Sequence, residues 1–340
     1  MNVNYFEDIV TALGSRQEYF PGTGGNISLK LEDGTMLIKA SGKRVLHMNE
    51  EDGIVPLYYN EIKEFFHLVE LFEEGEKESD AVIQRSLCGS VKGRPSIETG
   101  FHTLLSSAVI HSHSVYVNML TCASSFEMLV DTLFLGSDIP YMNLAYAKPG
   151  YYLTHLFLDK VKKLSGRPKV IFMKNHGIVV TASTLEDAIL LHEEVNERIR
   201  KYFGLQGEEY LKGELFHYND TCSVSKTALL NDFVFSNISI FEMINNYILF
   251  PDLTVFCQDI VIADRGATEA KIVIDTKTRE IIYNTTKKEA HCIEENLVAF
   301  AYLMTKMKEN HLRPVYISEE EADSIRNMEQ EKYRKRLLQR

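Results

Sequence analysis

Three segments of this 340-residue chain carry side chains whose types and spacing suit chemistry at a bound ion. The sharpest is Ala108-Val109-Ile110-His111-Ser112-His113-Ser114-Val115. In a strand, residues two apart project to one face, with α-carbons about 6.5–7 Å apart. His111 and His113 then point together while Ser112 turns away, so both imidazoles can face one ion. His176 stands between two apolar runs, 169–173 and 178–181, where a strand end can aim it at the same point. Three neutral imidazoles plus an open position make a catalytic zinc arrangement, whereas a closed structural site takes a fourth protein ligand. The pattern alone leaves a second reading open, that of histidines without a metal.

Glu98 follows Pro95-Ser96-Ile97 at what reads as a helix start. A carboxylate there is either a first-turn electrostatic filler or a group near the metal that coordinates it or shuttles a proton. The third segment is Thr23-Gly24-Gly25-Asn26, whose glycines allow backbone N–H groups to converge on an anion. It is neither a Walker loop nor a dinucleotide fingerprint. Ser41-Gly42-Lys43-Arg44 adds a hydroxyl and two cations, and Ser96 another hydroxyl. Together they read as a phosphate or carboxylate cradle, or else as ordinary turns.

The elements that must position these groups are legible in outline. Apolar spacing predicts a helix over 3–20 and a β-hairpin from 27–30 and 35–40 around Asp33-Gly34. A strand is expected over 108–117, with further strands over 169–173 and 178–181. A helix over 184–203 is capped by Ser183. The acidic stretch 61–79 gives no assignment. Residues 206–228 are polar and read as a linker between a first domain, 1–205, and an α+β domain, 229–340. In that second part, 254–264 and 271–284 carry β-branched runs. Thr286-x-x-Glu289 opens a helix over 287–309, and Ser318-x-x-Glu321 opens one running to the C-terminus. The basic residues Lys332, Arg334, Lys335, Arg336 and Arg340 read as complements to the helix dipole and as solvated charge.

Composition narrows the function classes. With 48 acidic and 37 basic residues the formal net charge is −11 and the pI is near 5.5. A nucleic-acid partner bound through a basic face is excluded on those grounds. No window approaches the ~18 uninterrupted apolar residues of a membrane span. The N-terminal residues lack the layout of a signal peptide. Five widely spaced cysteines without a CxxC pair argue against a disulfide framework or cysteine zinc site. The expectation is a cytoplasmic protein.

Taken in order, several stretches resemble the class II aldolase/adducin superfamily. They are Gly22-Thr-Gly-Gly-Asn-Ile-Ser28, Ala40-Ser-Gly42, Pro95-Ser-Ile-Glu98 with Phe101-His102, and the His-x-His segment. Tyr146-Ala-Lys-Pro-Gly150, Asn175-His-Gly-Ile-Val-Val180 and a Leu-Glu-Asp-Ala-Ile helix follow, so the likeness covers roughly residues 1–205. The resemblance implies a three-layer α/β/α domain around a mainly antiparallel sheet, assembled as a homotetramer, with the C-terminal α+β part added. It implies His111, His113 and His176 as ligands of Zn2+ or another divalent metal, and Glu98 as the acid/base carboxylate. Gly25, Asn26, Ser41, Gly42 and Ser96, with Lys43 in support, are implied as the cradle for a substrate phosphate.

The activity implied is a lyase of carbohydrate metabolism that cleaves or forms a sugar phosphate, or a similarly anionic polyol, by retro-aldol/aldol chemistry through a metal-stabilised enediolate. Epimerisation or dehydration of a phosphorylated sugar on the same metal is the alternative, and a non-catalytic adducin-like scaffold a second. The sequence departs from the family in having Ile97 where a second serine often stands. Tyr116, Tyr141 and Tyr146 are the nearby candidates for an aldolase tyrosine, none well matched.

Overall fold

The computed structural model describes residues 3–49, 52–72, 74–89, 91–205 and 212–339. Seven strands form the first sheet: β1 (Asn26–Lys30), β2 (Thr35–Lys39), β3 (Ile54–Tyr58), β4 (Ala108–Ser112), β5 (Tyr141–Leu144), β6 (Val170–Met173) and β7 (Gly177–Ala182). Their spatial order is β3-β2-β1-β4-β7-β6-β5. All neighbours are antiparallel except β5 and β6.

Central β4 is buried at every residue because helices cover both faces of the sheet. Alternation sorts its side chains: Ala108 and Ile110 join one apolar cluster, Val109 the other. Helices Val3–Gly14, Val115–Thr121, Phe126–Phe134 and Leu185–Tyr202 pack on the first face. Helices Tyr59–Leu68, Gly75–Arg85, Thr99–Thr103 and Tyr151–Val161 pack on the second. The result is the expected α/β/α sandwich around a mainly antiparallel sheet. Two of those helices occupy the stretch 61–79 that the sequence left unassigned.

A second sheet lies in the C-terminal region, with β8 (Leu215–Asn219), β9 (Cys222–Ser225), β10 (Ile260–Ile262), β11 (Ile272–Asp275) and β12 (Glu280–Tyr283) in the order β10-β11-β12-β9-β8. Two expectations are corrected here. The interval 206–228 is not a plain linker, since β8 and β9 form a hairpin within it; residues 206–211 lie outside the described residues. Val224 alternates inward onto Val273 and Ile282, which anchors an otherwise polar strand. In the run 254–264, the strand is confined to β10, and helix Pro251–Phe256 precedes it. Pro251 occupies that helix's first turn, where its missing N–H costs nothing, and complete burial overrides β-propensity.

Helix Lys287–Glu309 matches its expected span, with Thr286 Oγ1 accepting from the Glu289 N–H. Its Ile293, Leu297, Phe300 and Tyr302 belong to the same apolar cluster as Val115, Val117 and Leu120. The core is therefore continuous from the first sheet into the C-terminal region.

Other boundaries shift for local reasons. The first helix stops at Gly14, and β4 stops at Ser112 because Ser114 caps the helix Val115–Thr121. Thr184, not Ser183, caps Leu185–Tyr202, accepting from Asp187 N–H. The C-terminal helix is two, Glu319–Arg326 and Glu329–Leu338, because Met328 is extended at ψ 133°. Arg340 lies outside the described residues. No described helix is long and apolar enough to cross a membrane.

Candidate active site

β-pairing places the first groups. Asn26 on β1 lies directly opposite His111 on β4, and β7 pairs with the other edge of β4 at Val179. His113 follows just past the end of β4, and its ring lies 4.8 Å from that of His111. His176 sits in the tight turn between β6 and β7, with its ring 4.9 and 5.0 Å from those of His111 and His113. Two unusual residues shape this turn. Asn175 has φ 52°, and Gly177 has φ 148°. A Cβ on Gly177 would lie 2.2 Å from the Ser112 carbonyl oxygen, so only glycine allows the turn to approach β4 this closely.

All three histidines are buried, and their ligand atoms lie within 4.8 Å of one another. The tautomers of His111 and His113 follow from their partners. His111 Nδ1 faces the Ile178 carbonyl oxygen at 3.0 Å, which can only accept, so Nδ1 carries the proton. His113 Nδ1 faces the Asp252 carboxylate at 2.7 Å and carries one too. Both Nε2 atoms then present bare lone pairs, and they stand 3.1 Å apart. Glu98 Oε2 is 3.1 Å from His111 Nε2, and Oε1 is 3.6 Å from His176 Nε2.

Burial holds His111 and His176 neutral, pushing them to about 4 and about 3 against the opposing pull of Glu98. Burial pushes the Glu98 carboxyl up, but His111, His176 and His113 outweigh it and bring the group to about 2. A carboxylate and two bare imidazole nitrogens thus crowd one point. Glu98 Oε1 and His176 Nδ1 have no hydrogen-bond partner. This donor set fits a divalent cation such as zinc.

The cradle adjoins the same point. Asn26 Nδ2 donates to Glu98 Oε2 at 2.8 Å and Ser96 Oγ at 3.0 Å. The 94–97 segment runs beside the end of β2, with Ser41 N–H donating to Arg94 O and Ser96 N–H to Lys39 O, which brings the two serines together. Gly25, Asn26, Ser41, Gly42 and Ser96 line one cavity with Glu98, His113 and His176. Gly25 has φ 66°, and a Cβ there would lie 2.6 Å from His111 O. The N–H groups of Gly22 and Gly24 are already committed, to Glu295 and Pro21 O.

Lys43 is not brought to this cavity. Its Nζ pairs with Asp52 at a partly exposed edge, and Arg44 pairs with Glu295 at 2.6 Å. These ion pairs hold both side chains away from the cavity. The lysine that does line it is Lys39, whose buried Nζ donates to Thr23 O at 2.8 Å and Lys43 O at 2.7 Å. Burial, with Arg334 beside it, lowers Lys39 to about 7. Further residues of the cavity wall come from far along the chain, among them Asp252, Glu331 and Arg334. The available signals were a lysine ending an apolar strand for Lys39 and a charged tail for Glu331 and Arg334, which lie on helix Glu329–Leu338. Nothing local marks Asp252. Tyr116, Tyr141 and Tyr146 do not line the cavity; the Tyr141 hydroxyl donates to Asp131 instead.

Residues 9–203 match the family model described as the class II aldolase and adducin N-terminal domain. The chain belongs to this family. Among curated relatives of this class II aldolase-family chain is the 3-oxo-tetronate 4-phosphate decarboxylase of Haemophilus influenzae, 26% identical over 202 residues, covering 56% of the chain and 82% of the relative. The L-fuculose phosphate aldolase of Methanococcus vannielii is 27% identical over 206 residues, covering 58% and 93%. Among solved structures, an N-terminal class II aldolase domain from Thermoplasma acidophilum has 20% identity and a TM-score of 0.48, covering 59% of this chain and 91% of that one. The family match ends at residue 203, so Asp252, Glu331 and Arg334 lie beyond it.

Proposed function

We propose that this protein is a metal-dependent lyase, with zinc as the expected ion, that cleaves a carbon–carbon bond in a phosphorylated sugar or similarly anionic polyol by retro-aldol chemistry. The observation that carries this reading is the convergence of two bare Nε2 atoms and an ionised, partly unsatisfied Glu98 beside a cradle of Asn26, Ser41 and Ser96. Two named relatives act on sugar phosphates, which supports the substrate class.

His111, His113 and His176 would hold the cation, which supplies a Lewis acid for negative charge developing on substrate oxygens. The chain's own groups do the rest. Asn26, Ser41, Gly42 and Ser96 hold the anionic end and fix the reacting bond against Glu98. Glu98 Oε1, buried and without a partner, moves the proton between the substrate and solvent as the carbon–carbon bond breaks. An intact donor set also favours an enzyme over a scaffold. The proposed setting is a cytoplasmic homotetramer.

Decarboxylation is a second reading, favoured by the relative named as a decarboxylase, because loss of CO2 leaves the same kind of charge beside the carbonyl. Incubation of the purified protein with phosphorylated ketoses and keto acids, followed by mass analysis, separates the outcomes. Aldehyde plus a shorter phosphorylated fragment means retro-aldol cleavage, and release of CO2 means decarboxylation. Unchanged mass with altered stereochemistry means epimerisation, and loss of water means dehydration; either contradicts cleavage of a carbon–carbon bond.

A further inference from the structure

We propose that Asp252 is a positioning residue for the histidine centre, holding His113 in the tautomer and orientation that present Nε2, and that Arg334 fixes Asp252 in that role. This inference rests on the reading that the histidines bind a divalent metal.

Asp252 is fully buried at the start of helix Pro251–Phe256, 139 positions from His113 in sequence. Its two oxygens are divided between two partners. Oδ2 accepts the His113 Nδ1–H at 2.7 Å, and Oδ1 accepts from Arg334 Nη2 at 2.8 Å. Arg334 is itself held at three further points. Its Nη2 also donates to Thr23 Oγ1 at 2.9 Å, and its Nη1 to the Glu331 carboxylate at 2.8 and 3.0 Å. The Arg334 side chain is 12% exposed, and its guanidinium lies over the Phe256 ring, one turn from Asp252. An aspartate bonded in this way cannot rotate without breaking an ion pair, so the imidazole it holds cannot rotate either.

The chemistry of a carboxylate behind a ligating imidazole is twofold. It keeps the proton on Nδ1, so that Nε2 is the donor, and it raises the basicity of that nitrogen. His111 gets the first service from the Ile178 carbonyl, but only His113 gets both. Asp252 and Arg334 both lie past the last residue of the family match at 203, so this part of the chain would finish a site whose ligands lie in the first. The competing reading is a strut: an Asp–Arg pair that ties helices Pro251–Phe256 and Glu329–Leu338 to the glycine loop and does nothing for the metal. The two readings differ in what happens to metal affinity in folded protein.

Full-length wild type, Asp252→Ala, Asp252→Asn and Arg334→Met would be titrated with Zn2+ against a chromophoric chelator, with the melting temperature of each metal-free protein measured alongside. Glu289→Gln, which breaks the Lys271–Glu289 pair away from the site, serves as a destabilised control. The expectation is a Zn2+ affinity about 10–100-fold weaker for Asp252→Ala, the usual effect of losing such a support. Asp252→Asn falls in between: its amide oxygen can still accept from Nδ1–H, but then its NH2 must face the Arg334 donors. Arg334→Met loses less than Asp252→Ala, and Glu289→Gln melts earlier with unchanged affinity. Folded Asp252→Ala that binds Zn2+ as tightly as wild type, whatever its melting temperature, would overturn the inference. If the alanine variant does not fold, equal affinity in the isosteric Asp252→Asn has the same force. A wild type that binds no divalent metal at all is a different result, because it removes the underlying metal reading.

Discussion

His113 and Glu98 face the same point with opposite duties, and substitution should separate them. His113→Ala removes a donor and should abolish stoichiometric metal retention. Glu98→Gln removes a proton-transfer group while the three imidazoles stay. It should therefore keep the metal and lower turnover by about 10²–10⁴-fold, the range expected for general acid–base catalysis. Metal content and turnover measured on the same preparations test this pair; loss of metal in Glu98→Gln would show the carboxylate to be mainly a ligand. Gly177 makes a harder structural demand. An alanine Cβ would strike the Ser112 carbonyl at 2.2 Å in a backbone region where L-residues are strained. Gly177→Ala should destabilise the protein by at least about 1–3 kcal/mol, read by denaturant unfolding, and a neutral result would contradict the turn geometry. The four central residues, Glu98, His111, His113 and His176, were legible because each sits at a recognisable strand or helix boundary. Lys43 was misplaced because sequence adjacency to Ser41-Gly42 does not say which way a side chain leaves a turn. Asp252 and Arg334 lie 82 positions apart and bond through tertiary packing, which leaves no local trace.

At the scale of elements, strands with strict alternation and helices with a strong cap came out as read. The β1–β2 hairpin and helix Lys287–Glu309 are the clearest instances. The failures have physical causes. Residues 108–117 keep an apolar pattern past Ser112, and only the Ser114 cap turns the chain into a helix. The polar alternation of β8 and β9 reads as a linker until a partner strand is available to pair with it. The cap of Leu185–Tyr202 offers a simple check. Thr184→Ala should cost about 1 kcal/mol and Ser183→Ala close to nothing, as measured by chemical denaturation; the reverse order would restore the expectation from sequence.

The whole molecule shares one apolar cluster between the first sheet and the C-terminal helices. A fragment ending at residue 205 would expose the surface that Ile293, Leu297, Phe300 and Tyr302 now cover. It should bind a hydrophobic dye and lack a cooperative unfolding transition, whereas the full chain unfolds sharply; a cooperative fragment would show the halves to be separable. Acid should also act globally. His102 and His192 are fully buried, bonded to Ser28 and Ser112, and burial lowers each to about 3. In the unfolded chain they titrate near 6.5. Below that pH the unfolded state takes up protons that the folded state refuses, so their contribution is intact above about 6.5 and is lost as pH falls toward 3. Replacing His192 with Gln should flatten the slope of stability between pH 4 and 6 by about 1.4 kcal/mol per pH unit.

Whether the three histidines hold a cation is read by elemental analysis of full-length protein purified without added metal or chelator, with His111→Ala prepared in parallel. The expected result is about one divalent ion per wild-type chain, zinc foremost, and a loss of that ion in the variant. Wild-type protein carrying no divalent metal, and taking none up on addition, would contradict it.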